Sequence, residues 1–274
     1  MNNLMTVKDA TYHYSVCGEG EPLVLLHGFT GTGNTWETFS EKWSKFFKVI
    51  MIDLPGHGKT NVKSPRTMEQ FCQDLKLLLD QLKIKKTHLL GYSMGGRAAL
   101  SFALNYPDYV QSLILESASP GLKTGEERRK RREADALLAE QIMVNGIEGF
   151  TYYWENIPLF ETQKHLPAHI KKVIRHERLS QLPEGMAESL LYMGTGSQPS
   201  WWDKLVEVTI PVLLVVGSLD KKFIRINQEM KKLLPNAELV TVVKSGHAVH
   251  VEQVEKFDKI VMEFLEVHFI KKFT

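Results

Sequence analysis

Short apolar runs alternate with longer stretches of helical period along much of the chain. The apolar runs predict buried strands at Leu23–Leu26, Val49–Ile52, Thr87–Leu90, Ser112–Leu115, Val212–Val216 and Leu239–Val243. The stretches between them predict helices at Met68–Leu82, Gly96–Asn105, Ile226–Leu234 and Val254–Val267. This alternation is typical of an α/β fold with a mostly parallel central sheet flanked by helices. A weaker pattern near Tyr12–Val16 indicates an antiparallel pair at the start of the sheet.

The spacing of the predicted strands is interrupted once, between Leu115 and Ile210. That interval has helical patterns at Glu126–Val144, Gly146–Trp154, His169–Leu179 and Gly185–Met193. It is too long for a crossover connection and too regularly patterned for an unstructured loop. We therefore expect a core formed by residues 1–118 and 203–274, with residues 119–202 inserted as a helical cap.

One pentapeptide at the end of a predicted strand indicates a catalytic serine. Gly91-Tyr92-Ser93-Met94-Gly95 matches G-x-S-x-G, the strand-to-helix turn that exposes a nucleophilic serine. Such a turn forces strained backbone angles on the serine, and glycines on both sides avoid collisions between side chains. The bare pattern occurs by chance in roughly one chain of this length in ten. Its position between an apolar strand and a run of helix formers supports Ser93 as a catalytic residue.

A serine needs an imidazole to take its proton and an acid to orient that imidazole. In this type of turn the three residues follow in the order Ser, acid, His. Among the histidines in loops after strands, His247 and His250 fit this order, and His247 in Ser245-Gly246-His247 is preferred. Asp220 follows the penultimate strand and is the expected acid, although it could instead cap the helix that begins near Ile224.

Two backbone N–H groups should form an oxyanion hole beside the serine. The turn itself places the N–H of Met94 there, and the loop after the first parallel strand supplies the N–H of Phe29. A second tight turn, Asp53–Gly58, could form part of the active-site mouth, but we interpret it as loop structure.

Composition narrows the class of protein. The 274 residues include 34 Lys and Arg against 32 Asp and Glu, a balance that argues against a protein that binds nucleic acid through a basic surface. No apolar run approaches the roughly 20 residues of a membrane span, so no stable membrane insertion is expected. The first ten residues lack the features of a secretory signal, and the two cysteines, Cys17 and Cys72, suit a reducing cytoplasm. The glycine-rich stretch Gly28–Gly33 lacks nucleotide-binding spacing, so no cofactor is expected. No metal is expected either. The oligomeric state stays open.

Arginines near the predicted site bear on the substrate. Arg97 lies in the first turn of the helix after Ser93, where the helix dipole disfavours a cation unless an anion is near. The run Arg128-Arg129-Lys130-Arg131-Arg132 begins the predicted cap and places Arg128, Arg131 and Arg132 on one helix face. Each feature also has an explanation that involves no substrate. Arg97 could be a surface arginine paired with a carboxylate, and the basic run could be a solvated helix face. Because arginine suits bidentate carboxylates, we favour a small substrate with several carboxylates as the binding partner.

Aromatic residues of the predicted cap could line the apolar part of such a site or form the cap's own core. They are Tyr152, Tyr153, Trp154, Trp201 and Trp202.

Taken with these motifs, the chain resembles 2-succinyl-6-hydroxy-2,4-cyclohexadiene-1-carboxylate synthases, lyases of menaquinone biosynthesis with the α/β-hydrolase fold. The resemblance covers essentially the whole chain. Its marks, besides the serine pentapeptide, include Leu26–Gly31, Asp53–Gly58, Asp220–Phe223 and Ser245–His250. Pro120-Gly121-Leu122, followed by Glu127-Arg128, Arg131 and Asp135, is the most diagnostic, because generic esterases do not share it.

The resemblance implies a reaction that the fold name does not suggest. The family abstracts a proton from an enolpyruvyl cyclohexene and expels pyruvate, so Ser93 with His247 would act as a base, and the oxyanion hole would hold an enolate. It further implies that Arg97 and Arg131 bind substrate carboxylates, with Arg128, Tyr92 and Trp154 nearby. Glu155 stands where other members can carry an aromatic residue. A carboxylesterase, a C–C bond hydrolase and a non-catalytic receptor are the alternatives that would share this scaffold.

Overall fold

The computed structural model describes residues 2–268, which form one mixed sheet with helices on both faces. Nine strands occur in this range: β1 Asn2–Val7, β2 Ala10–Cys17, β3 Glu21–Leu26, β4 Phe47–Ile52, β5 Asn61–Val62, β6 Thr87–Tyr92, β7 Val110–Glu116, β8 Val212–Gly217 and β9 Ala237–Val242. Their spatial order is β1-β2-β4-β3-β6-β7-β8-β9, with β5 paired to β2. The ladders from β4 to β9 are parallel, and β2 pairs antiparallel with β1, β4 and β5. The predicted parallel sheet and its antiparallel start are confirmed.

The helices follow the strands as the sequence indicates. In the described residues they are α1 Glu37–Trp43, α2 Met68–Gln81, α3 Met94–Asn105, α4 Gly125–Glu155, α5 Ala168–Leu179, α6 Pro183–Met193, α7 Lys221–Leu233, α8 Val249–Glu252 and α9 Val254–His268. Thr67 caps α2 with its side chain, and Thr124 does the same for α4; in each case the third helical residue completes a reciprocal capping box.

The core lies on both faces of the sheet, because successive side chains of each strand point to opposite sides. On β3, Val24 and Leu26 pack with the cluster under α2 and α3, which includes Phe71 and Phe102. Leu23 and Leu25 belong to the opposite cluster, which includes Trp43 of α1 and Phe257 of α9. The central strands are therefore apolar on both faces, which explains why they read as unbroken apolar runs.

The segment between β7 and β8 forms the helices α4, α5 and α6, together with a 3₁₀ helix at Pro158–His165. This is the interval for which the sequence predicts a cap, and we retain 119–202 as the proposed division. Residues 269–274 of the proposed core lie outside the described residues. The two helices predicted on either side of residue 145 are the halves of α4, which breaks at Gly146 with φ 67° and ψ −177°.

Candidate active site

Ser93 lies between the end of β6 and the start of α3, at a backbone conformation of φ 50° and ψ −104°. Few non-glycine residues adopt positive φ, so the chain around Ser93 must hold it there. Its N–H donates to the carbonyl of Glu116 on the neighbouring strand β7, at 2.8 Å. A Cβ on Gly91 would lie 2.2 Å from the carbonyl oxygen of Gly95, and one on Gly95 would lie 2.2 Å from that of Leu26. The two glycines are therefore required by the close packing of the turn.

His247 and Asp220 stand in line with the serine. The Nε2 atom of His247 is 3.0 Å from Ser93 Oγ, and its Nδ1 atom is 2.7 Å from Asp220 Oδ2. Both the histidine and the aspartate are buried. The other carboxylate oxygen of Asp220 accepts the backbone N–H of Phe223 at 3.2 Å, which caps α7. The two interpretations of Asp220, capping residue and partner of the histidine, therefore hold together, one for each oxygen.

His250, the alternative histidine, is engaged elsewhere. Its Nδ1 atom lies 2.9 Å from both carboxylate oxygens of Glu116, a fully buried side chain at the end of β7. Glu116 also accepts the backbone N–H of His250 at 3.0 Å. The ring of Tyr92 lies between the two histidines, with centroids 4.6 Å from His250 and 5.5 Å from His247. His250 thus fastens the loop that carries His247 to the sheet, and Tyr92 packs behind the imidazole.

The loop that carries Phe29 is held by two buried histidines. His27 Nε2 accepts the N–H of Leu54 at 2.9 Å, and His57 Nε2 accepts the N–H of Thr30 at 3.3 Å. Burial lowers the pKa of His27, and burial together with the charge that His27 can carry lowers the pKa of His57 to about 3. Both rings are therefore neutral at pH 7 and can accept these N–H groups. Their hydrogen bonds therefore fix the loop that carries Phe29.

A cavity of about 170 Å³ opens above the serine. Its walls include Ser93 and His247 together with the two residues predicted for the oxyanion hole, Phe29 and Met94. Of the residues predicted to bind substrate, Arg97, Arg131 and Trp154 line it. The remaining described lining residues are Ser117, Ser119, Gly121, Leu122, Leu159, Ser189, Leu190, Gly194, Thr195, Lys222, Phe223 and Ile226.

Arg97 is buried at the base of this cavity. Its Nη1 atom donates to the carbonyl of Met193 at 2.9 Å and to Gln198 Oε1 at 2.5 Å, and both acceptors are uncharged. Burial and the nearby charge of Arg131 lower the pKa of Arg97, and Asp135 opposes this effect only in part. The expectation of a surface arginine paired with a carboxylate does not describe this residue. Its position instead suits an anion that enters the cavity.

The basic run at the start of α4 divides into two groups. Arg131 lines the cavity and donates from Nε to Asp135 Oδ1 at 2.8 Å. Arg129 pairs with Glu133, and Lys130 with Glu126, each at 2.7 Å on the exposed face. The solvated-face interpretation is therefore right for these two residues, and the substrate-facing one suits Arg131.

Two of the residues predicted to contact substrate are not among the residues that line the cavity. Arg128 and Tyr92 are outside the described set of lining residues, so their expected contact with substrate has no support from this geometry. Glu155, the departure from the family pattern, pairs with Arg175 of α5 and is not among the described lining residues. Trp154 supplies that wall, and its buried Nε1–H has no hydrogen-bond partner among the described residues.

The remaining cap aromatics have structural positions. Tyr152 and Tyr153 are exposed. Trp201 Nε1 donates to Ser101 Oγ at 2.8 Å, and Trp202 Nε1 donates to the carbonyl of Gly121 at 2.9 Å.

Sequence reasoning missed Gln198, the side chain that holds Arg97. The contact joins residues 101 positions apart, and a single glutamine has no motif that would reveal it. It also missed the cavity-lining roles of Phe223 and Lys222, although both follow Asp220 directly and could have been found from that proximity.

Within residues 2–268, no helix combines the length and apolar character that a bilayer span requires.

Comparisons with known proteins identify the fold and the family of the chain. The sequence model of the alpha/beta hydrolase fold family matches residues 21–254. A protein named putative 2-succinyl-6-hydroxy-2,4-cyclohexadiene-1-carboxylate synthase, from Bacillus subtilis, is 49% identical over 269 residues, which cover 95% of this chain and 97% of the relative. The structure of MenH from S. aureus superposes with a TM-score of 0.90 at 38% identity, covering 94% of this chain and 98% of that one. A thermophilic esterase from Thermogutta terrifontis, solved with malate bound, gives a TM-score of 0.84 at 29% identity, covering 98% and 99%.

Proposed function

The chain belongs to the α/β hydrolase fold family and, within it, to the 2-succinyl-6-hydroxy-2,4-cyclohexadiene-1-carboxylate synthases; we propose that it performs this group's pyruvate elimination in menaquinone biosynthesis. The substrate would be 2-succinyl-5-enolpyruvyl-6-hydroxy-3-cyclohexene-1-carboxylate. The observation that carries the proposal is the presence of Arg97 and Arg131 in the same cavity as Ser93 and His247. A simple ester needs no pair of guanidinium groups, whereas a ring with several carboxylates does.

The serine and histidine would first create a base. His247 Nε2, 3.0 Å from Ser93 Oγ, takes the hydroxyl proton, and Asp220 stabilises the imidazolium from its other side. Ser93 Oγ then removes the ring proton adjacent to the succinyl ketone, and negative charge develops on the ketone oxygen. Phe29 and Met94 line the same cavity, and their N–H groups would hold that oxygen.

The second half of the reaction expels the leaving group. The ring C–O bond to the enolpyruvyl group breaks as the enolate collapses into a new ring double bond. The departing oxygen carries the electron pair away as the enolate of pyruvate. The imidazolium of His247 returns its proton to that enolate, and Ser93 keeps the ring proton as its hydroxyl hydrogen, so atoms and charges balance. No bond forms between Ser93 and the substrate in this scheme, which distinguishes it from acyl transfer.

The two guanidinium groups would hold the ring in place for this chemistry. Burial beside another cation is costly for Arg97, because its hydrogen-bond acceptors, Met193 and Gln198, are neutral. A substrate carboxylate would offset that cost. Binding of a substrate carboxylate would therefore also neutralise the buried charge of Arg97, which favours anionic substrates over neutral esters.

The test compares two substrate classes on the wild-type protein. The enolpyruvyl cyclohexene is supplied and pyruvate is followed with lactate dehydrogenase and NADH, while 4-nitrophenyl esters are assayed separately. We expect pyruvate release with a kcat/KM far above that for the esters. Rapid ester cleavage without pyruvate would instead place the protein with the esterases, whose fold it shares.

A further inference from the structure

We propose that Lys222 binds the third carboxylate of the substrate, completing a set of three cations with Arg97 and Arg131. This inference rests on the proposed function, since it is the tri-anionic cyclohexene that requires a third site. Lys222 comes from the first turn of α7, Arg97 from α3 and Arg131 from α4, so the three charges approach the cavity from three different elements.

The balance of charge in the cavity supports this assignment. The proposed substrate carries carboxylates on the ring, on the succinyl chain and on the enolpyruvyl group. Among the described lining residues, the lysine and arginine side chains are Arg97, Arg131 and Lys222. Two arginines alone would leave one carboxylate without a cation in a partly enclosed site, where an unpaired charge is costly.

Lys222 is next to Phe223, a residue whose ring packs against the ring of the catalytic histidine. Its ammonium nitrogen lies 5.6 Å from the centroid of the Phe223 ring. That ring lies 4.6 Å from the ring of His247, measured between centroids. Lys222 would therefore hold a carboxylate on the side of the cavity where His247 accepts and returns the proton.

Apart from the Phe223 ring, the described residues offer the ammonium group of Lys222 little that favours a positive charge. It lies at the N-terminal end of α7, where the helix dipole disfavours a cation, and that turn contains no acidic residue. In the described part of the chain no carboxylate lies within ion-pair distance of its ammonium group. Its neighbour Lys221 differs, because its ammonium group donates to the carbonyl of Ser218 at 2.9 Å and lies outside the cavity wall.

This difference between two adjacent lysines provides a matched control. Lys222→Gln, Lys222→Arg and Lys221→Gln are made in the full chain and assayed for pyruvate release from the enolpyruvyl cyclohexene. Both Gln variants remove one positive charge from the same exposed turn, so the net charge changes equally. We expect Lys222→Gln to lose at least about tenfold in kcat/KM, mainly through KM, because a charged hydrogen bond to substrate is lost. We expect Lys221→Gln to stay within about twofold, since exposed charges contribute little. Lys222→Arg should retain most of the activity, because it keeps a positive charge that can bind the carboxylate.

A salt series gives a second readout. If Lys222 contacts a carboxylate, kcat/KM should fall less steeply with added NaCl in Lys222→Gln than in the wild type or Lys221→Gln. Equal losses in the two Gln variants, or a Lys222→Gln value within about twofold of wild type, would overturn the assignment. These outcomes are distinct from failure of the proposed function itself, which would show as absence of pyruvate with the wild-type protein.

Discussion

At Arg97 a buried guanidinium donates to two uncharged oxygens and shares its cavity with a second arginine. Arg131 is 40% exposed at its side chain and is partly neutralised by Asp135. The two therefore differ in how much they need a ligand. An anion would stabilise Arg97 more, because no carboxylate of the described residues pairs with it. Arg131 is more exposed and can therefore move more freely toward an entering anion.

The first prediction compares three arginines. Arg97→Ala and Arg131→Ala should each lower kcat/KM for pyruvate release by about 30-fold or more, because each removes a charged contact with a carboxylate. Arg129→Ala is the control, since Arg129 pairs with Glu133 on the exposed face, and it should change kcat/KM by less than about twofold. Steady-state kinetics with thermal melts on all three variants make the comparison. Small and equal effects at the three positions would contradict substrate binding by Arg97 and Arg131. The run Arg128–Arg132 would then be a solvated helix face.

Residue types and chain order were enough to predict which side chains meet at the serine. Ser93, Asp220 and His247 each follow a strand that the apolar pattern identifies, and the carboxyl ends of parallel strands share one edge of the sheet. The roles of Gln198 and Lys222 could not be predicted in the same way. They depend on where the cap and α7 approach the core, which is set by packing between segments far apart in sequence.

The elements that could be predicted from the sequence are those that bury large apolar surfaces. The central strands and α2, α3 and α9 bury wide apolar surfaces, and that requirement leaves a clear period in the sequence. The strand β1 was missed because it is an edge strand with alternate residues exposed, which weakens the apolar signal. The short helix α1 was missed because it follows a 3₁₀ turn at Gly33–Trp36 and spans only seven residues.

The cap is joined to the core by a carboxylate from α5. Glu177 Oε1 accepts the backbone N–H of Thr32 at 2.9 Å and the hydroxyls of Thr32 and Thr35 at 2.7 and 3.0 Å. These threonines follow the loop that carries Phe29, so the cap is fastened to the segment proposed to hold the enolate. The position of the proposed cap and that of the loop that carries Phe29 are therefore mechanically connected.

The second prediction concerns the break in α4. At Gly146 the angles φ 67° and ψ −177° belong to a region that is almost exclusive to glycine, although a Cβ there would meet open space. Gly146→Ala should lower the free energy of unfolding by about 1–3 kcal/mol through backbone strain alone. Gly125→Ala, in the first turn of the same helix and also in open space, should be neutral or slightly stabilising. Urea unfolding of the two variants decides this, and equal stabilities would argue that α4 continues unbroken through residue 146.

Across the whole molecule, buried neutral histidines tie stability to pH. Burial lowers the pKa of His88 to about 4, from an ordinary value of 6.5. Between these values the unfolded chain binds a proton that the folded chain does not, so this contribution to stability is complete above pH 6.5, is lost progressively as pH falls from 6.5 to about 4, and does not change further below that. At pH 5 the loss from His88 amounts to about 2 kcal/mol. His57, with its pKa lowered to about 3, acts in the same direction.

The third prediction tests this linkage away from the active site. His88→Gln should reduce by about 2 kcal/mol the drop in unfolding free energy between pH 7 and pH 5, whatever its effect at pH 7. His165→Gln, which replaces an exposed histidine of the cap, should leave that drop unchanged. Urea titrations at the two pH values measure both differences. An undiminished drop in His88→Gln would show that this histidine is already protonated in the folded state.

The proposed pyruvate elimination depends on Ser93 acting as the base that removes the ring proton. The most direct measurement is the rate of pyruvate release from the enolpyruvyl cyclohexene by Ser93→Ala relative to wild type. The mass of the ring product is determined by mass spectrometry in the same reactions. We predict one pyruvate per substrate consumed, a ring product that keeps its succinyl group, and a rate lowered by about 10²–10⁴-fold in the variant. A Ser93→Ala rate close to that of the wild type, or a product that has lost the succinyl group, would contradict the proposed mechanism.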